Sequence, residues 1–328
     1  MSFLNSIRMP SFKVLVLAFV IAAVALAQPY AYVSNTMGNT VSVVNRANNT
    51  IKANISISGA GLTGLAITPN GSYVYVAEQS AAKVAVISTA TNTVYKTVSG
   101  LGQSPVQIAI TPDGNTAYVA NQNSDSISVI STSSYSVIKT IDVGHKPVGI
   151  AVTRDGSRLL VSNLLSNNIS VISTSSNSVT DTWPKNPQQG NQGQNGIAMH
   201  PNGTIAYVAN QYANTVSVLN LSTGSIQNTI TGFYAPNSVA VTPNGSTLYV
   251  TNGNNASVVA VNTTSLVKAA PIPVQSLPVS VAISSDGSTA YVANAYGYSL
   301  SEINTSNNTV KYTLARVGIY PFSVCVYH

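Results

Sequence analysis

Side chains able to do chemistry are scarce and scattered in this sequence. Its 328 residues hold three histidines (His145, His200, His328), one cysteine (Cys325) and eight acids against 14 bases. A single cysteine supplies neither a disulfide nor a thiolate zinc site, and no C-x-x-C-H haem motif is present. His200 has no second histidine or carboxylate at a ligand spacing, so it reads as a turn residue. Asp113, Asp155 and Asp286 each precede a glycine in a turn slot that Asn70, Asn202 and Asn244 fill elsewhere. They are turn formers rather than a catalytic pair. Glu78 and Asp125 are the weak metal candidates, two oxygen donors that could meet at a Ca²⁺. No catalytic residue and no cofactor is expected from this inventory.

Only 7% of the residues are charged while 45% are hydrophobic, against about 25% charged in an average globular chain. Such a composition builds a large core and excludes disorder driven by charge. The pI is near 9.3, yet the basic residues are scattered, which argues against nucleic-acid binding. With eight acids there is little to protonate, so stability is expected to be nearly flat from about pH 7 to about pH 3.

Residues 1–27 have the form of an export leader. Arg8 and Lys13 precede an uncharged apolar run that ends in Ala25-Leu26-Ala27, an A-x-A cleavage pattern. Cleavage after Ala27 would leave a chain starting at Gln28, and an uncleaved leader would be the only membrane attachment. The expected location is therefore extracellular, at the cell surface or in the envelope.

From Gln28 onward one unit recurs seven times. AYVSN at Ala31 returns at Val74, Ala117, Leu159, Ala206, Leu248 and Ala290, with start-to-start spacings of 43, 43, 42, 47, 42 and 42 residues. Each copy is followed by a second apolar run (VSVVN at Val41, VAVIS at Val84, ISVIS at Ile127) and then by a third such as NTVYKTV at Asn92. A fourth, such as IAITPDG at Ile108, precedes the next copy. All are short β-branched runs bounded by Gly, Pro, Asn and Ser, which is the strand signature. The chain enters at the second strand of a unit and ends on FSVCVY, which fits the first-strand pattern. A C-terminal strand pairing with the N-terminal strands would close the ring. The expected fold is all-β, a single seven-bladed β-propeller of four-stranded blades over residues 28–328. Cys325 takes the small-residue slot of Ala66, Ala109 and Ala151 in this scheme. The terminal Asn of the repeated segment (Asn35, Asn121, Asn163, Asn210, Asn252, Asn294) is expected to bond the backbone of the following turn.

The repeated YVxN segments, the Pro-Asp/Asn-Gly turns and the literal LYVTN at Leu248–Asn252 resemble the YVTN family of seven-bladed propellers, found in archaeal surface-layer and exported proteins. Leu160 in place of Tyr, Glu78 in place of Asn and an insertion in the fourth unit are the departures. The resemblance implies a non-catalytic envelope protein for adhesion, scaffolding or interaction, with envelope proteins or glycans as partners. The alternative is a propeller enzyme of the lactonase or lyase type with a metal in the central channel.

Six equivalent asparagines argue for structure, so asymmetry marks a site. The loops gathered on one face carry Trp183, Tyr212, Phe233, Tyr234, Tyr296, Tyr298 and Tyr320, and these are the binding candidates, since a large rigid ring with a polar tip suits sugar or protein contacts. The longest such loop is Trp183–Asn195. Acceptor patterns for N-glycosylation fall at Asn48, Asn54, Asn70, Asn168, Asn202, Asn220, Asn244, Asn255, Asn262, Asn304 and Asn307, little more often than an Asn-, Ser- and Thr-rich chain produces by chance.

Overall fold

The computed structural model describes residues 30–184 and 192–327. The export leader and its cleavage after Ala27 lie outside these residues. The described chain forms seven four-stranded antiparallel sheets, each the blade of one ring. Blade 1 is made of Tyr30–Asn35, Thr40–Asn45 and Thr50–Ser56, with the C-terminal strand Pro321–Val326 as its innermost member. Tyr32 faces Cys325 and Val33 faces Val324 across that junction. The ends of the chain are thus hydrogen-bonded into one sheet, and the ring closes as the repeat count requires.

Blade 2 shows how the sequence pattern maps onto the ring. Its strands run outward from the axis as Leu62–Ile67, Tyr73–Glu78, Lys83–Ser88 and Thr93–Val98. The second strand is covered on both faces by neighbouring blades, so it is apolar over Val74–Ala77 and buried over Val74–Glu78. The outermost strand meets solvent and is exposed from Thr93 to Thr97. Seven apolar clusters fill the spaces between blades. One joins Tyr32 and Val43 of blade 1 to Leu65, Val76 and Ile87 of blade 2. Each large side chain buried this way contributes roughly 1.5–3 kcal/mol.

Two side-chain devices repeat around the ring. The first is a clamp between blades, in which a second-strand tyrosine donates its hydroxyl to an asparagine in a turn of the next blade. Tyr32 reaches Asn92 at 3.0 Å, Tyr118 reaches Asn177 at 2.7 Å and Tyr249 reaches Asn308 at 2.6 Å. The second corrects the expectation for the terminal asparagines. Their amide nitrogens donate to side-chain oxygens five and seven residues on, in the adjacent strand, not to the following turn. Asn121 bonds Ser126 and Ser128 at 3.2 and 2.9 Å, and Asn210 bonds Thr215 and Ser217 at 2.9 and 2.8 Å. The strand pairing puts those side chains on the same face as the asparagine, closer to its amide than the turn backbone is.

The antiparallel order places the second-to-third-strand loops and the blade-to-blade connectors on one face. Where the loop slot holds Asn or Asp, its side chain ties down the connector that follows. The side-chain oxygen of Asn39 accepts from Gly61 N–H at 3.0 Å, Asn214 accepts from Ala235 at 2.7 Å, and Asp125 accepts from Lys146 at 2.8 Å. These clips fix the rim of the central channel.

Candidate functional site

On the loop-bearing face the innermost strands open into a cavity of about 360 Å³ at the mouth of the channel. Its polar wall consists of the amides of Gln107, Gln122, Asn195, Gln211 and Asn237 together with the hydroxyls of Ser238, Ser280, Ser323 and Tyr320. Its apolar wall is Val106, Val148, Leu164, Leu277, Val279 and Phe322. The innermost strands come close enough for this only where side chains are missing. A Cβ on Gly149 would stand 2.1 Å from the carbonyl oxygen of Asn195. Within the described protein Asn195 donates to Gln211 at 3.3 Å, while the amides of Gln107, Gln122 and Asn237 make no hydrogen bond. Unpaired amides converging on a cavity are a standing capacity for a polar ligand.

At the rim stands the one ion pair among the described residues. His145 Nδ1 lies 2.7 Å from Asp125 Oδ2. The Lys146 backbone N–H and the imidazole hold the Asp125 carboxyl below the usual carboxylate range. An ionised Asp125 accepts a hydrogen bond from Nδ1–H, which leaves Nε2 as the nitrogen with a free lone pair. The carbonyls of His145 and Lys146 accept from Leu165 and Leu164, and Leu164 is in the cavity wall. The pair therefore stands at the connector that leads into the innermost strand Pro147–Val152, whose Val148 and Gly149 line the cavity. It escapes a reading of the sequence because the two residues are 20 apart and meet only when loop and connector fold together. Asp125 occupying an Asn slot was the available signal.

The expected aromatic site is split by the structure. Trp183 and Phe233, placed on loops by their sequence context, are buried at 4% and 2% exposure. Trp183 packs with Leu160, Leu219 and Leu221, its indole N–H donates to Asp181 at 2.8 Å, and Arg158 covers its ring. Phe233 packs with Ile230, Val216 and Val250 under Lys268. Both are too apolar to leave the gaps between blades. Tyr212, Tyr234, Tyr296 and Tyr298 are exposed on the rim. Tyr320 lines the cavity and meets Tyr296 edge-on at 5.4 Å.

Glu78 and Asp125 serve separate local networks. Glu78 takes the terminal-asparagine slot, is 2% exposed, and its burial raises its pKa. In the strand pairing it faces Lys83, which stands where the other blades have Ser, Thr or Asn. Among the described residues no three His, Cys, Asp or Glu side chains come together as a metal could need. The described lining of the channel mouth offers amide and hydroxyl oxygens but no carboxylate, thiolate or imidazole to neutralise a divalent cation, so the metal in the alternative reading is not carried further. His200 accepts from Asn202 N–H on Nδ1 and reaches the Gly245 carbonyl with Nε2, a turn role. Asp113, Asp155 and Asp286 likewise accept from their turn hydroxyls and amides. Cys325 is buried, and burial pushes its thiol up to about 12. Asn70, Asn202 and Asn244, three of the glycosylation acceptor positions, spend their side-chain oxygens inside turns.

One polar cluster breaks the repeat pattern in the sequence itself. Glu302 stands in a third-strand slot held by Val43, Val86, Val129, Val171, Val218 and Ala260 in the other blades. It is 2% exposed at the seam between blades 7 and 1, and its Oε1 has no partner. Beside it, Arg46 of blade 1 donates to the Tyr291 hydroxyl at 3.2 Å.

The chain belongs to the lactonase family of seven-bladed β-propellers, whose model matches residues 89–183 and 175–269, together more than half of its length. The fold recurs in solved structures of low identity. Hydrazine synthase of Kuenenia stuttgartiensis is 20% identical, with a TM-score of 0.75 over 85% of this chain and 93% of that one. A putative 6-phosphogluconolactonase of Bacteroides fragilis is 16% identical, with a TM-score of 0.77 over 92% and 98%. One from Bacteroides uniformis is 17% identical, with a TM-score of 0.73 over 91% and 99%. No curated protein has a matching sequence. The family overturns the expectation of a non-catalytic adhesion or scaffolding propeller and points to an enzyme-type propeller, the alternative reading. It lends no support to a surface-layer or glycoprotein assignment.

Proposed function

We propose that this protein is a hydrolase of the lactonase type that opens a cyclic ester held at the mouth of the central channel. The observation that carries the proposal is the convergence of unpaired amides on the channel-mouth cavity, with the Asp125–His145 pair on a loop and connector of the same face. In this reading Nε2 of His145 takes a proton from water as the water oxygen bonds to the lactone carbonyl carbon. The carbonyl oxygen, becoming an oxyanion, receives hydrogen bonds from the Gln107 and Gln122 amides. The ring C–O bond then breaks, the departing oxygen takes the proton from His145, and a hydroxy acid leaves. Asp125 holds the imidazole in the tautomer this requires and stabilises its charged form.

A pH-stat assay with five- and six-membered lactones tests the proposal. Turnover by the purified chain is expected, with a fall of roughly 10²-fold or more in His145→Gln. Absence of turnover, or equal turnover by the variant, would refute it. We also infer export, on the strength of Arg8, Lys13 and the Ala25-Leu26-Ala27 pattern. Sequencing the N-terminus of protein recovered outside the cell should give Gln28. A narrower kinship with YVTN-repeat propellers is supported by the LYVTN segment, and it concerns repeat type rather than activity.

A further inference from the structure

We propose that the ligand of the channel cavity is an uncharged, hydroxyl-rich lactone, an aldonolactone carrying neither phosphate nor a second acidic group. This rests on the lactonase reading and specifies its substrate class. None of the described residues lining the cavity carries a charge. Each amide there offers both a donor and an acceptor, and each hydroxyl can play either part. That is the complement of a ring bearing several hydroxyls, whose oxygens also give and take hydrogen bonds. The rings of Tyr320 and Phe322 add flat apolar surface to the lining, suited to the C–H face of a sugar ring.

A phosphate group would need cations, and the described residues lining this cavity supply none. The basic residues described on this face are committed elsewhere. Lys146 Nζ donates to Asn123 Oδ1. Lys268 Nζ caps the carbonyls of Thr231 and Gly232 at 2.7 and 2.8 Å. Lys83 pairs opposite Glu78 in the strand register. Arg316 follows the outermost strand, Thr309–Ala315, at the periphery of the ring. Taking a dianion out of water with neutral partners alone is costly, so the same geometry that welcomes ring hydroxyls discriminates against phosphorylated substrates.

The test compares D-glucono-1,5-lactone with its 6-phosphate on the full chain, with gluconate and 6-phosphogluconate as competing products. The unphosphorylated lactone is expected to have a kcat/KM higher by about tenfold or more, and gluconate is expected to be the stronger inhibitor. Gln122→Lys places a cation at the mouth and should narrow or reverse that preference. A preference for the phosphorylated lactone, or equal use of both, overturns this inference and leaves the lactonase reading standing. Hydrolysis of neither overturns the lactonase reading and this inference with it.

Discussion

Replacing Glu302 by valine is expected to stabilise the ring, because the wild-type chain buries a carboxylate where six sister positions hold Val or Ala. The carboxyl is 2% exposed and its Oε1 lacks a partner. Burial is the main cause of its raised pKa, opposed by Lys311 and Arg46. Exchanging a buried, incompletely paired ion for a well-packed apolar side chain gains about 1–4 kcal/mol. For a chain of this size that amounts to roughly 2–8 °C in Tm. The sign of the pH dependence follows from the direction of the shift. A carboxyl whose folded pKa lies above its unfolded one contributes stability that is complete below the unfolded pKa and is lost as pH rises through the folded pKa. The advantage of Glu302→Val should therefore be largest at neutral pH and shrink toward zero near pH 4. Differential scanning calorimetry of both proteins from pH 4 to pH 8 measures it. A variant less stable than wild type at pH 7, or a gap independent of pH, would refute the reasoning and make Glu302 a net stabiliser of the seam.

Further outcomes follow from the same geometry. Asp125→Asn keeps the clip to Lys146, as Asn39 and Asn214 do for their connectors, so Tm should hold while the pH profile of hydrolysis changes. A Tm lowered by several degrees in that variant would assign Asp125 to structure alone. Asn121→Ala removes bonds to two buried serines and should cost about 1–3 kcal/mol. Asn252→Ala removes one bond to Ser257 and one from the Tyr234 N–H, each 3.2 Å, and should cost a similar amount, which denaturant titration checks. Turn hydrogen bonds hold Asp155 and Asp286 at about 2, so the stability they give is complete above the usual carboxylate pKa and is lost progressively as pH falls from there through about 2. Glu78 and Glu302, shifted upward, act in the opposite sense. Wild-type Tm should thus be flat or rise slightly from pH 7 to about 3, and a steep loss between pH 5 and 3 in a thermal-shift series would contradict this.

The fold was legible because every blade repeats the same apolar second strand, because six of the seven carry the same Asx-Gly turn, and because the two ends complete one repeat. The site was less legible for a physical reason. A channel in the middle of a ring is lined by one or two residues from each of several blades, so Gln107 and Asn237 are neighbours only through closure. They are neither charged nor aromatic, and a search for conspicuous side chains passes over them. Trp183 and Phe233 drew attention for their size, and that size is what buries them. Glu302 could have been found by aligning the repeats with one another, since a lone Glu among Val and Ala breaks the pattern in the sequence itself.

The most direct test of the central claim is lactone hydrolysis by three proteins side by side: wild type, the channel variant Gln107→Leu/Asn237→Leu, and the rim variant Tyr212→Ala/Tyr234→Ala/Tyr298→Ala. If the channel mouth is the active site, the channel variant loses about tenfold or more in kcat/KM while the rim variant stays near wild type. No hydrolysis by wild type, or a loss confined to the rim variant, would contradict the account.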